Sequence, residues 1–488
     1  MLNFGKIALI VATFLVPSAA MAQDDPAQIL GEERLQSLME RTAPVDVADG
    51  SVMPHFIADP AWPKPLPNNW TFGQIAGVYA DNDDNIWVLQ RSRSLTTEEA
   101  GLLEAVGEDA EGAPVSALGH PRPFGPITDC CGPAPAVMQF DQEGNLLRAW
   151  GGPSDIDYLE TMCRQEDGCF WPANEHGIYI DHNDFVYIGS NGNGSGDTPW
   201  ASPNGWDGHV LKFTMDGEFV LQVGAPGSEA PDSNDTDGGI NGTPQLFRPA
   251  DMVVDPETNI LYIADGYGNN RVVAVDAESG QYVGHFGAYG QNPVDDDLAD
   301  NSGTFAEDLA AEDSPRPGFF RNPVHCVEIS DDRFLYVCDR GNNRIQVFDL
   351  ADLGQPCDNP DGEAGLCGFV EEQFVSVETR TTIPGTAVSV NFSTDDGQTC
   401  LYVGDNSNMT IYVLSRDSLG ELARFGRPGQ GAGEFHWLHN VAVDASGNIY
   451  TGEVDTGKRA QRFIRYGEAG CSGDGDTVGG VRISAAAK

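Results

Sequence analysis

The chain has 488 residues, with 74 Asp and Glu against 27 Lys and Arg, giving a formal charge of −47 at pH 7. So acidic a surface repels nucleic acid and anionic lipid, and neither is an expected partner. The length exceeds one ordinary hydrophobic core, which leaves several domains or a repeat architecture.

In chain order, Met1 to Ala22 carries one lysine, an apolar stretch from Ile7 to Val16 and the small-residue site Ala20-Met21-Ala22. This pattern predicts a cleaved secretory signal over 1–22 and an exported protein, periplasmic or secreted. An N-terminal segment over 23–55 precedes the folded part, and a tail over 469–488 follows it. Ten cysteines fit an oxidising compartment. Cys163 with Cys169, and Cys357 with Cys367, are close enough to staple their own loops, whereas the adjacent Cys130-Cys131 leaves several pairings open.

Between 56 and 468 one unit recurs six times. Each copy opens with a short β-branched strand, turns through Asp, Asn and Gly, and continues into a strand of the type Ile/Leu-Tyr/Trp-Val/Ile. The first strands start at Ala76, His176, Ala250, His325, Thr386 and His439. The second strands include Ile86-Trp87-Val88, Val186-Tyr187-Ile188, Leu261-Tyr262-Ile263, Leu335-Tyr336-Val337, Leu401-Tyr402-Val403 and Ile449-Tyr450. Apolar third strands and glycine-ended fourth strands complete four strands per unit. The expected fold is therefore an all-β, six-bladed β-propeller, in which each blade buries its faces against its neighbours. The last copy lacks an outer strand, and residues Phe56 to Trp70 are expected to supply it and close the ring. Gly-Asn-Asn-Arg at 268–271 and 341–344 resembles NHL repeats.

His176, His325 and His439 share one repeat position in blades two, four and six. Alternation around a six-fold ring aims three imidazoles at the axis, and three histidines with an open fourth position suit a catalytic zinc. Packing alone has no reason to select every second blade. The loop after strand two lies at the same end of the propeller, and it carries Arg91, Tyr267 and Arg340 together with the long insertions at 92–135 and 189–208. The remaining histidines, among them His182, His209, His285 and His436, fall outside the register and read as structural or surface residues. Arg271 and Arg344 recur at one repeat position and read as structural.

Asn322-Pro323-Val324-His325, Leu438-His439-Asn440-Val441 and Asp265-Gly266-Tyr267-Gly268-Asn269-Asn270-Arg271 resemble the corresponding strings of the peptidyl-α-hydroxyglycine α-amidating lyase family. The resemblance implies zinc on His176, His325 and His439, Tyr267 as catalytic base, Arg91 on the substrate carboxylate and Arg340 beside the tyrosine. It implies a small-molecule or peptide substrate ending in an α-hydroxyglycine-like group, cleaved at its C–N bond to a primary amide and glyoxylate by a monomeric enzyme. It also implies a calcium on the axis, with the carbonyls of Val78 and Ile178 and the side chain of residue 440. There the family carries aspartate and this chain has Asn440. Trp437 replaces a family methionine and implies a substrate-binding pocket of different shape. The chemistry suits these residue types independently: guanidinium matches a carboxylate through paired donors, and a tyrosine acts as a base when cations favour its ionised form. Two other classes compete, a non-catalytic binding propeller and a calcium-dependent propeller lactonase. The second calls for carboxylate and amide ligands rather than three imidazoles.

Overall fold

The computed structural model describes residues 45–46, 50–105, 107–108, 112–116, 118–119, 126–192, 205–227, 232–295, 318–353, 356–358, 364–366, 368–375, 385–475 and 483–484. The expected signal over 1–22 and Cys367 lie outside them. Six antiparallel sheets follow one another along the chain, and their innermost strands touch in a closed ring. Those inner strands are Gln74–Ala80, Glu175–Ile180, Asp251–Asp255, Val324–Ile329, Ala387–Phe392 and Leu438–Val443, in blades one to six. The architecture is the six-bladed propeller that the repeat predicts.

Each blade is pinned at both ends by polar chemistry that the repeat encodes. At the turn between strands one and two, where blades four and five carry Ser330 and Ser393, an aspartate in blades one and two accepts backbone N–H groups two and four residues on, as Asp81 does from Asp83 and Asn85 and Asp181 from Asn183 and Phe185. Its second oxygen takes the ring donor six residues ahead, Trp87 Nε1 at 2.7 Å or Tyr187 Oη at 3.1 Å. At the other end, Asp265 holds Arg271 at 2.9 Å and Asp339 holds Arg344 at 2.6 Å, all four fully buried. Arg271 also donates to the carbonyls of Ser233, Asp235 and Gln245, so these two arginines are structural, as the repeat position suggests.

The closing strand differs from the expected one. Val52–Asp59 pairs along Arg459–Ser472 and completes blade six, whereas Trp70–Thr71 forms a short parallel pair with Gly132–Pro133. Burial of Met53, Phe56, Ile57 and Ala58 explains the choice: the apolar run starts before Phe56 and ends at the turn after Asp59. Blade five also differs in register. Pairing between its first two strands shifts at Val388, the position matching Ala76, His325 and His439, so Thr386 lies two residues ahead of it.

Disulfides join Cys163 to Cys169, Cys326 to Cys338 and Cys400 to Cys471, and Cys130 pairs with Cys131. The Cys326–Cys338 bond links the first two strands of blade four beside His325. Four disulfides among the described residues fit an oxidising, exported environment. No helix among the described residues is long and apolar enough to cross a membrane.

Two carboxyl groups sit on adjacent inner strands, Asp251 in blade three and Glu328 in blade four, with an Asp251 oxygen 3.4 Å from the Val327 nitrogen. Burial raises Asp251 to about 7, and burial together with Asp251 raises Glu328 to about 8. Both acids are thus raised on folding, so their protonated forms favour the native state. The stability they contribute is complete below about pH 4 and is lost as pH climbs to about 8. Asp251→Asn and Glu328→Gln are expected to raise Tm relative to the parent by roughly 2–4 °C at pH 9. The advantage should grow from pH 4 to 8 and then level off in a thermal-melt series; a constant offset across that range refutes the assignment.

Candidate metal centre

The inner strands of blades two, four and six are not regular where the histidines fall. Their pairing with the second strand shifts between Glu175 and Ile178, between Val324 and Cys326, and between Leu438 and Asn440. A bulge of this kind re-aims a side chain that a flat strand would bury between blades. All three imidazoles accordingly meet on the axis, with ring centroids 4.6 to 4.9 Å apart and a ligand nitrogen from each within 4.8 Å of the others.

The odd-numbered blades complete the arrangement. His176 Nδ1 lies 2.8 Å from the carbonyl of Ala250 in blade three, His325 Nδ1 2.6 Å from Val388 in blade five, and His439 Nδ1 2.7 Å from Ala76 in blade one. A carbonyl only accepts, so each Nδ1 carries the proton and each Nε2 presents its lone pair. Burial, the other imidazoles and Arg91 hold the His176 ring well below the usual histidine range. Burial acts first on the other two as well, followed by Arg340 on His325 and by Arg91 on His439. Three neutral imidazoles converge, each oriented by a second partner, and the buried Nε2 of His325 has no hydrogen-bond partner among the described residues. That donor set fits a divalent transition metal such as zinc.

Tyr267 follows the second strand of blade three and reaches the triad. Its hydroxyl is 3.1 Å from His176 Nε2 and accepts a hydrogen bond from Arg340 Nη1 at 3.1 Å. Its backbone is held on both sides, the N–H by the Arg248 carbonyl at 3.3 Å and the carbonyl by Asn322 Nδ2 at 2.7 Å. Gly266 makes this turn possible, since a Cβ there would stand 2.0 Å from the Val324 carbonyl oxygen. Gly385 does the same for Arg340, whose Cγ lies 2.4 Å from the position a Cβ would take. Arg91 donates from Nε to the Glu175 carbonyl at 2.6 Å and from Nη1 to Gln74 Oε1 at 2.8 Å.

Arg91, Tyr267 and Arg340 therefore gather at the histidine end, as the loop argument expects. Trp437 lies two residues before His439 at φ 64°, with its backbone N–H on Met409 Sδ and its side chain against the core of blades five and six. Asn440 uses its side-chain oxygen to accept the Val78 N–H at 2.8 Å, which ties blade six to blade one. His209 is buried and donates to the Phe170 carbonyl, a structural role. One residue escaped the sequence reading. Arg248 enters blade three from the preceding loop, and its guanidinium lies 4.8 Å from the Trp206 ring and 5.5 Å from the Tyr267 ring. The search of loops after strand two passes over it, because it lies in the other loop type at that end.

No family model matches the chain. Over 211 residues, 43% of its length, it is 26% identical to peptidylglycine alpha-amidating monooxygenase of Rattus norvegicus, of which it covers 17%. Over 101 residues it is 33% identical to peptidyl-glycine alpha-amidating monooxygenase B of Xenopus laevis, with 21% of this chain and 9% of that protein covered. It is 27% identical over 221 residues to NHL repeat-containing protein 3 of Mus musculus, covering 44% of this chain and 45% of that protein. Its relatives are thus amidating monooxygenases and NHL-repeat proteins, and it spans less than half the length of each. Among solved structures, a streptogramin B lyase overlaps with a TM-score of 0.39 at 10% identity, covering 85% of this chain and 98% of that one. Virginiamycin B lyase from Staphylococcus aureus gives a TM-score of 0.36 at 10% identity, over 81% and 86% of the two chains.

The triad makes a direct prediction. Replacing any one of His176, His325 or His439 with Ala should cut bound metal from about one ion per chain to a small fraction of that, with the strand-rich circular dichroism unchanged. Elemental analysis after dialysis against a weak chelator measures it, and full retention in all three single variants refutes the site.

Proposed function

We propose that this protein is a zinc-dependent lyase that cleaves the C–N bond of N-acyl-α-hydroxyglycine-type substrates to a primary amide and glyoxylate. One observation carries the reading: a phenol, Tyr267, stands within hydrogen-bond distance of both a triad imidazole and a guanidinium, Arg340. The resemblance of the motifs around His325, His439 and Tyr267 supports it, as do the amidating enzymes among the relatives. The protein is taken to act as an exported monomer.

His176, His325 and His439 would hold the zinc, which would supply Lewis acidity to the reaction when bound. Arg91, buried beside the triad, pairs with the substrate carboxylate and fixes which face of the carbinol carbon meets Tyr267. Tyr267 takes the hydroxyl proton while the C–N electron pair leaves with nitrogen. The oxygen's electrons form the glyoxylate carbonyl, and the proton passes from Tyr267 to the departing nitrogen. The reaction therefore needs no other reactant. Arg340 donates to the phenol oxygen throughout, a contact stronger to phenolate than to phenol.

Glyoxylate release from a panel of N-acyl-α-hydroxyglycines tests the activity, with ureidoglycolate included because it has the same carbinolamide core. Tyr267→Phe should lower kcat by about 10²-fold or more without loss of zinc, the usual scale of acid–base help. Arg91→Ala should act chiefly on KM. Zinc-loaded protein that releases no glyoxylate from any member of the panel favours a binding propeller instead. A Tyr267→Phe enzyme with near-parental kcat removes the tyrosine from the chemistry.

A further inference from the structure

In a chain with 74 acidic residues and 27 basic ones, an arginine without a carboxylate partner needs an explanation. Elsewhere in this fold several buried or half-buried arginines meet acids, as in Arg271–Asp265, Arg344–Asp339 and Arg459–Glu453, while Arg93 donates to the backbone carbonyls of Pro172 and Ala173. Around Tyr267 the pattern inverts. Arg340 donates to the Tyr267 hydroxyl, Arg248 lies 5.5 Å from the Tyr267 ring and Arg91 holds the Glu175 carbonyl next to His176, and none of the three forms an ion pair among the described residues; their hydrogen bonds go to neutral oxygens. The acid nearest to Arg248 in charge terms, Asp207, is already committed, accepting the backbone N–H groups of Ala173, Asn174 and Gly192 at 2.8 to 3.1 Å.

Arg248 is also held in place. Its backbone takes φ 61°, a conformation that side-chain-bearing residues rarely adopt. Its guanidinium lies 4.8 Å from the Trp206 ring and 5.5 Å from the Tyr267 ring, Nε donates to the Asn191 carbonyl at 2.9 Å, and Nη1 lies 3.3 Å from the Tyr267 carbonyl. Nη2 has no partner among the described residues, and the residue is only half-buried. A guanidinium packed over an aromatic ring presents its donor edge, the geometry that suits an incoming carboxylate.

We propose that Arg248, stacked on Trp206, forms a second anion subsite beside the metal centre, so that the protein takes N-acyl-α-hydroxyglycines whose acyl chain itself carries a carboxylate. The inference rests on the lyase reading for the first carboxylate, which Arg91 takes, and for the hydroxyl, which faces Tyr267 and Arg340. Of the three guanidinium groups around Tyr267, the second negative charge then falls to Arg248.

The test compares N-succinylglycine with N-butyrylglycine, near-isosteric analogues that lack the hydroxyl and are not cleaved. Calorimetry on the metal-loaded full chain should give about 10-fold or greater preference for the succinyl compound. Arg248→Gln should bring the two affinities together, and Arg248→Lys should restore part of the gap. Metal content and circular dichroism matching the parent confirm that the variants fold. Equal affinities in the parent, no detectable binding of N-succinylglycine, or a preference that survives Arg248→Gln each overturns the proposal. Glyoxylate release from the matching α-hydroxyglycines separates the two readings. Preferential binding without release keeps the subsite and removes the lyase, whereas equal binding with release does the reverse.

Discussion

Everything at the centre of this molecule depends on three hydrogen bonds that cross between blades, from the Nδ1 of His176, His325 and His439 to the carbonyls of Ala250, Val388 and Ala76. Even-numbered blades supply the imidazole and odd-numbered blades the acceptor. A carbonyl on an inner strand's free edge would otherwise stand unpaired in the channel, at a cost comparable to a lost hydrogen bond. The same contact satisfies that carbonyl, selects the tautomer and turns the metal-ligating nitrogen inward. Alternation of histidine around the ring thus pairs each imidazole with a carbonyl of the next blade while leaving three nitrogens that could hold a metal.

Much of this was legible in the sequence because a propeller writes its geometry in a repeat. The position shared by the three histidines was enough to place them on one axis. The loop order then placed Arg91, Tyr267 and Arg340 at the same end. The register of blade five was not legible, because Thr386 and Val388 are both β-branched and either one can open a strand. The closing strand opens at Val52, ahead of the expected Phe56, and stops at Asp59 rather than running on to Trp70. The chain turns between Ala58 and Trp62 instead, with Asp59 accepting from Ala61.

Other features are not recorded by residue type. The shift in pairing at the histidines recurs at Ala76 and Val388, so it belongs to the backbone of the repeat, and the imidazole is what sets blades two, four and six apart. Arg248 belongs to a loop that varies from blade to blade, so no periodicity marks it. Its significance comes from what it lacks, a carboxylate, and that becomes visible only in three dimensions. The two glycines that let Tyr267 and Arg340 approach, Gly266 and Gly385, likewise look like ordinary turn residues until their neighbours are known.

Val52 pairs with Ser472 at the seam of blade six, which brings the first and last strands of the propeller side by side. The ring is therefore continuous in space though interrupted in the chain, and the three histidines are indifferent to where the interruption falls. Bridging the seam with a short linker and opening the chain in an outer loop would leave every inter-blade contact at the axis intact. The order in which blades leave the ribosome would change, while the centre they enclose would not.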